Sequence, residues 1–397
     1  MKWKISAAII LTTLLAVFLL IPDVQMPKPD GKHQVGATQF EIRGENNWVQ
    51  VMAWYPAESI RDAKHLSYMP EWLGKATASQ TGLPEILFGD DGISSSYIDI
   101  PIVTGQHPVL IYNHGYGSSP RQNMTQFEQL ASHGYIVLSI GHPGDSLALK
   151  TLAGDLVYQL QQAQFQFDDD AVIQQVEIMT QALNRASEAT SRAQWHEVMG
   201  KIESSKFNQT SIARFPYWYA NNTLLLDNLN KIQSGELTTQ LKSGMDLNNI
   251  GAFGHSFGGA ISVELALKRA EIKAAMNLDG PQFQLDKQQA FNKPVCFVYG
   301  DMAEGLFASH SKLNDALLED SNSNHCSFTF KGANHNNFTD VNYFTPMKYF
   351  GYIGEINNQE MGKQLNNLIM GYFDWQLLGA KPLQPNSNII QVNKVQG

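Results

Sequence analysis

The segment Gly254-His255-Ser256-Phe257-Gly258-Gly259 fits G-x-S-x-G, with an apolar, strand-like run at 249–253 before it and a helical pattern at 260–269 after it. That setting predicts a sharp strand-to-helix turn holding the Ser256 hydroxyl at the carboxyl end of a sheet. Glycines two residues either side let strand and helix approach closely while the serine takes a strained backbone conformation. A serine hydroxyl is a weak nucleophile on its own, so acyl chemistry there requires a base and an orienting carboxylate, in the chain order Ser, acid, His. Three histidines follow Ser256: His310, His325 and His335. His310 falls in a helical stretch and His325 opens a strand, whereas His335 lies in a loop after that strand, where a base can reach the serine. His335 is therefore the candidate base. The candidate acid is Asp279, which closes the apolar run 272–278 and precedes Gly280. Its competitor, Asp301, occupies the turn-forming position of a Gly-Asp-x-Asp pattern whose second Asp is replaced by Ala303, with Glu304 one residue out of place. Two backbone N–H groups must face the developing oxyanion. The expected donors are Phe257, next to the nucleophile, and Tyr116, in the loop Asn113-His114-Gly115-Tyr116-Gly117 after a strand at 107–112.

These residues need a parallel sheet to bring them together. Strand-like runs at 48–55, 107–112, 135–140, 249–253, 272–278, 294–299 and 326–330 alternate with helical patterns, as at 122–132 and 260–269. Alternation of this kind predicts an α/β fold with crossover helices, and near-continuous apolar runs predict strands covered on both faces. Pro56 is expected to end the first strand. Between the third and fourth runs lies a long stretch, about 147–247, read as a helical insertion that could fold over the site. In it Asp168, Asp169 and Asp170 favour a helix start rather than a metal. Ile173, Val176, Met179 and Leu183 follow at helical spacing and predict a helix; a further helix is expected at 217–232.

Composition excludes several classes. Hydrophobic residues make up 43% and charged residues only 16%, which is a globular rather than a disordered balance. Lys+Arg 28 against Asp+Glu 37 gives a net charge of −9 with no basic run, so a nucleic-acid partner is not expected. Cys296 and Cys326 can form one bridge or remain two thiols. His196-Glu197 lacks the second histidine of a zinc helix, Gly115-x-Gly117 lacks the third glycine of a dinucleotide loop because position 120 is Pro, and neither metal nor cofactor is expected. N-x-[ST] sequons begin at Asn123, Asn208, Asn221 and Asn337.

Lys2 and Lys4 precede an uncharged run at 5–21 closed by Pro22 and Asp23. This reads as an export signal or membrane anchor. No Ala, Ser or Gly lies between Val17 and Pro29 to form a small-x-small cleavage site, which favours an uncleaved anchor with the body facing outward. The expected organisation is a signal or anchor at 1–21, a linker at 22–35 and one α/β domain at 36–397. Oligomeric state is not readable.

Four segments carry a family resemblance: PVLIYNHGYGSSP at 108–120 with LASHGYIVLSIGHPGDS at 130–146, GAFGHSFGGA at 251–260, AAMNLDGPQF at 274–283, and FKGANHNNFTD at 330–340. Through them the chain resembles the α/β-hydrolase superfamily, and within it the plasma-type (group VII) platelet-activating factor acetylhydrolases and their bacterial relatives. The resemblance implies Ser256 as nucleophile, Asp279 as acid, His335 as base, and Tyr116 and Phe257 as oxyanion donors. It also implies hydrolysis of a carboxylic ester through an acyl-enzyme, on small-molecule or lipid esters such as short-acyl or oxidised phospholipids. The loop HPGDS at 142–146 departs from the animal enzymes and weakens the phospholipid implication; dienelactone-hydrolase-like and polyester-hydrolase-like esterases share much of the pattern. A peptidase or thioesterase with the same triad is the rival within catalysis. An inactive binding protein is the rival outside it, disfavoured because both Ser256 and His335 are present.

Overall fold

A computed structural model describes residues 26–89, 94–163, 169–186, 192–283, 285, 291–301, 311–318 and 324–396. The run at 5–21, Asp168, His310, Ala303 and Glu304 lie outside them.

The strands are β1 (Gln34–Arg43), β2 (Trp48–Ala57), β3 (Ser96–Ile98), β4 (His107–Asn113), β5 (Ile136–Gly141), β6 (Ala148–Lys150), β7 (Leu156–Tyr158), β8 (Met245–His255), β9 (Ile272–Leu278), β10 (Val295–Gly300), β11 (His325–Phe330) and β12 (Ile390–Gln396). The helices are α1 (Glu71–Thr81), α2 (Met124–Ser132), α3 (Asp169–Ala186), α4 (Arg192–Ser204), α5 (Lys206–Ser234), α6 (Phe257–Lys268), α7 (Ser311–Ala316) and α8 (Asn358–Leu378). Ten strands form one sheet in the order β12-β11-β10-β9-β8-β4-β5-β2-β1-β3, while β6 and β7 make a separate hairpin. From β11 to β5 all pairings are parallel; β2 runs antiparallel to β5 and β1, and β12 antiparallel to β11. This is the α/β-hydrolase arrangement that the alternating pattern predicts. The parallel strands β5 and β10 are buried at every position, which explains why they read as unbroken apolar runs. One core packs on each sheet face: α5 and α6 supply the first, α2 and α8 the second.

Several expectations need correction. The linker expected at 22–35 overlaps β1, which begins at Gln34; before it Gly31 N–H donates to Ser132 Oγ, His33 N–H to Ser132 O, and Asp30 Oδ1 accepts from Gln129 Nε2, so residues 30–33 are docked on α2. Pro56 does not end β2. It sits opposite Val35, past the segment 50–54 that pairs with β5, so its missing N–H removes no bond from that ladder. The helix expected at 217–232 spans Lys206–Ser234 and carries Pro216 inside it, which a breaker-based reading takes as a boundary. The helix expected from Ile173, Val176, Met179 and Leu183 is present as α3, but its first two apolar positions do not mark its buried face: Ile173 is 64% and Val176 39% exposed, while Gln175 is buried. The side chains of Met179 and Leu183 lie outside the description. Gln175 is held inward by hydrogen bonds to Ser205 and Asn208, while Ile178 packs against the core.

Cys296 and Cys326 stand opposite each other in the β10–β11 ladder and form a disulfide. All four sequon asparagines are buried, Asn208 being the most exposed at 6%, so none is open to a glycan in the folded chain.

Candidate active site

The chain turns sharply between β8 and α6. Ser256 has φ 56° and ψ −125°, strained for a residue with a Cβ, and its N–H is held by Leu278 O at 2.8 Å. The glycines make the turn sterically feasible: a Cβ on Gly258 would overlap the carbonyl oxygens of Asn113 and His114, and one on Gly254 would overlap the Gly258 backbone. Phe257 is the first residue of α6, so its N–H has no acceptor within the helix and adds to the positive end of the helix dipole beside Ser256.

Asp279 follows β9, the neighbour of β8, and also has positive φ, 54°. Its N–H donates to Val298 O at 2.7 Å and its Oδ1 accepts from Gly300 N–H at 3.0 Å, fixing the carboxylate from two sides. Oδ2 then lies 2.7 Å from His335 Nδ1. A carboxylate acceptor requires the proton on Nδ1, which leaves Nε2 as the basic nitrogen. Asp301 does something else: Oδ1 accepts the Gly332 N–H at 2.6 Å, closing the turn before the His335 loop.

The His335 loop is built by asparagines. Asn334 Oδ1 accepts from Asn336 N–H at 3.1 Å, and Asn337 Oδ1 from Asn334 N–H at 2.9 Å and Gly354 N–H at 2.7 Å. Behind it, buried Asp340 accepts from Thr125 Oγ1 at 2.5 Å and Tyr68 OH at 3.1 Å; burial pushes its carboxyl up to about 7.

Sequence reasoning did not find His255 and Gln122. Gly115 N–H donates to Gln122 Oε1 at 2.7 Å, Gln122 Nε2 to His255 Nδ1 at 3.2 Å, and His255 Nε2 to His335 O at 3.0 Å. One chain of bonds thus ties the loop bearing Tyr116, the elbow and the loop bearing His335. It needs a neutral imidazole, and burial, aided by nearby His335, drives His255 down to about 3. No spacing rule links Gln122 to His255; only the fold brings them together.

The loop HPGDS at 142–146 is a scaffold under Tyr116. Asp145 is fully buried, accepts from Arg214 Nε at 2.9 Å and from Trp218 Nε1 at 2.8 Å, and burial raises its carboxyl. Trp218 stacks on His142, with ring centroids 3.7 Å apart, and on Tyr116 at 6.0 Å. Tyr116 also meets Phe257 edge-on at 5.3 Å, so the side chains of both expected oxyanion donors pack together. Arg214 and Trp218 belong to α5, so the insertion helps to hold this loop.

Ser256, His335, Tyr116 and Phe257 line one cavity of about 420 Å³ with Leu73, Phe88, Phe283, Phe344 and Met347; Asp279 stands behind His335. At roughly 30 Å³ per water-sized group, that holds on the order of 14 such groups. Among the described residues no cluster of His, Cys, Asp and Glu is arranged to hold a metal ion.

Comparisons with known proteins agree with this architecture. By structure the chain is similar to a ferulic acid esterase from Streptomyces cinnamoneus, with TM-score 0.68 and 18% identity, over 94% of this chain and 100% of that one. By sequence it is similar to the platelet-activating factor acetylhydrolase of Cavia porcellus, 22% identical over 81% of this chain and 70% of the relative. It is also 22% identical to that of Canis lupus familiaris, over 83% and 71%. A family model described as platelet-activating factor acetylhydrolase, isoform II, matches residues 19–380, well beyond the four segments that carry the resemblance in sequence. The chain belongs to the platelet-activating factor acetylhydrolase, isoform II, family.

Proposed function

We propose that this protein is a serine-dependent carboxylic ester hydrolase. The observation carrying the reading is a serine in a strained strand-to-helix turn, sharing a mostly apolar cavity with a histidine whose Nδ1 lies 2.7 Å from a buried aspartate. In this reading His335 Nε2 removes the Ser256 proton as Oγ attacks the ester carbonyl. Asp279 holds the imidazole in the required tautomer and stabilises the imidazolium. The N–H groups of Phe257 and Tyr116 receive the tetrahedral oxyanion. His335 then gives its proton to the departing alkoxide, leaving an acyl-Ser256, which water hydrolyses by the same steps.

The insertion wall of the cavity, with Gln175, Ile202, Asn208 and Ser211, supports short acyl groups, including those of short-chain or oxidised phospholipids, over chains of twelve carbons or more. Its aromatic lining, with Tyr68, Phe88, Phe283 and Phe344, favours small aromatic acyl esters as the second reading. A screen of p-nitrophenyl esters of increasing length, beside a short-acyl phosphatidylcholine and methyl ferulate, tests both. Turnover of acetate to butyrate esters that vanishes in Ser256→Ala is expected; no turnover of any ester would defeat the reading.

The body is proposed to work outside the cytoplasm, held to a membrane by residues 1–21. The Cys296–Cys326 bridge supports an oxidising compartment. N-terminal sequencing of protein from the membrane fraction tests the anchor, and a mature terminus beyond residue 20 would replace it with a cleaved signal. Among the described residues no helix is long and apolar enough to cross a membrane.

A further inference from the structure

The cavity wall contributed by the insertion is not apolar throughout. Gln175 on α3, with Asn208 and Ser211 on α5, line the cavity that contains Ser256, and are 2%, 6% and 3% exposed. Gln175 Oε1 accepts two bonds, from Ser205 Oγ at 2.7 Å and Asn208 Nδ2 at 3.1 Å. Asn208 Nδ2 also donates to Ile202 O at 3.0 Å. These contacts fix both amides: Gln175 must turn its oxygen towards the donors, and Asn208 its nitrogen towards the acceptors. What is left over is a Gln175 Nε2 donor and an Asn208 Oδ1 acceptor, neither with a hydrogen-bond partner among the described residues. Neither is sealed away inside the protein, and both residues line the cavity.

A nearly buried donor and acceptor with nothing to bind are costly unless a ligand meets them. The insertion residues that line this wall of the cavity, Gln175, Ile202, Asn208 and Ser211, include no cation, so the wall itself offers no charge to a phosphate or carboxylate. The complementary group is neutral and both donates and accepts, as a hydroxyl does. We propose that Gln175 and Asn208 form a hydroxyl-binding subsite that selects esters carrying a hydroxyl at the end remote from the scissile bond. The proposal rests on the ester-hydrolase reading for the nature of the ligand. It also explains why α3 turns Gln175, rather than Ile173 or Val176, inward.

The test measures binding, so that it does not depend on turnover. Two matched pairs are titrated by calorimetry into full-length Ser256→Ala protein: ethyl hexanoate with ethyl 6-hydroxyhexanoate, and ethyl 3-phenylpropanoate with ethyl 3-(4-hydroxyphenyl)propanoate. In at least one pair the hydroxylated ester is expected to bind about fivefold tighter or more, the scale of one well-made hydrogen bond. That preference should fall below about twofold when Gln175→Leu or Asn208→Leu is added. Equal affinities in both pairs, or a preference that survives both wall substitutions, would overturn the subsite. If the wall variants fail to fold, the comparison of the pairs on the intact wall still decides. Hydrolysis of the same four esters by the unsubstituted enzyme reports separately: no turnover of any would sink the ester-hydrolase reading while the binding ratio still judges the subsite.

Discussion

The two sides of the cavity are built on different principles. On the sheet side, Ser256, Asp279 and His335 stand at the ends of β8, β9 and β11, and backbone geometry fixes them: two positive-φ residues, glycines in van der Waals contact with carbonyls, and main-chain N–H groups aimed at carboxylate oxygens. On the insertion side, α3, α4 and α5 meet the cavity through side chains, and their order is set by amide and hydroxyl bonds such as those among Gln175, Ser205 and Asn208. Rigid backbone suits a reaction in which a displacement of about 1 Å costs orders of magnitude. A side-chain wall can change what it binds without disturbing that geometry. Changes on the sheet side should therefore alter the rate of the chemical step, and changes on the insertion side which ester is chosen.

The largest expected effect is at Ser256. Ser256→Ala should lower kcat by about 10⁶, the scale for loss of a triad nucleophile, while the protein stays folded. Retention of a tenth of the activity in a clean preparation would show that the nucleophile lies elsewhere. Asp279→Asn should cost around 10⁴ in kcat by presenting the wrong tautomer of His335. Asp301→Asn, which touches only the Gly332 turn, should stay within about tenfold, consistent with losing a bond worth about 1 kcal/mol. A reversal of that ranking in steady-state kinetics would move the acid to Asp301 and break the contrast at its centre.

Stability against pH sharpens the picture of the sheet side. His255 and His114 are buried and held neutral, with values near 3 and 4, and burial lowers His142 as well. All three lie below the unfolded value of about 6.5, so unfolding takes up protons and stability is lost as pH falls from about 6.5 towards 4. Asp340 opposes them: raised to about 7, it is protonated in the folded state and charged in the unfolded chain, so its contribution grows as pH falls through that window. Denaturant midpoints should drop between pH 6.5 and 4.5, and more steeply in Asp340→Asn, where one opposing carboxyl is gone while Asp145 and Glu128, also raised by burial, remain. A flat profile would mean that the histidines titrate as if exposed.

The smallest effect concerns the insertion. Acetyl to butyryl esters should be preferred over laurate in kcat/KM, because α3, α4 and α5 wall the cavity on the insertion side and limit how far an acyl chain can run past Ser256. Equal values for acetate and laurate would show that the wall opens and does not select.

The sheet side was also the more legible in sequence. A strained turn can be made by few residues, so G-x-S-x-G with its flanking strand marks Ser256, and strands covered on both faces announce themselves as apolar runs. Asp279 and His335 follow from their places after strands. The rest depends on contacts distant in sequence. The Cys296–Cys326 bridge exists because β10 and β11 pair in a register that no spacing reveals. β12 is a mostly exposed edge strand whose sequence, IQVNKVQ, carries little apolar signal. α5 continues through Pro216 because its packing against the core outweighs one lost backbone bond. α3 misleads because Ile173 and Val176 face outward and Gln175 faces in. His255 and Gln122 look ordinary until the fold places one imidazole between two loops.

Ser256 as the nucleophile is the central claim, and covalent labelling tests it without knowledge of the natural ester. Native, folded protein is treated with an alkyl fluorophosphonate and the adduct is located by peptide mass mapping. A single phosphonyl group on Ser256, absent from Ser256→Ala and slowed by orders of magnitude in Asp279→Asn, is the expected result. Stoichiometric labelling of a different residue, or no labelling of folded protein, would contradict it.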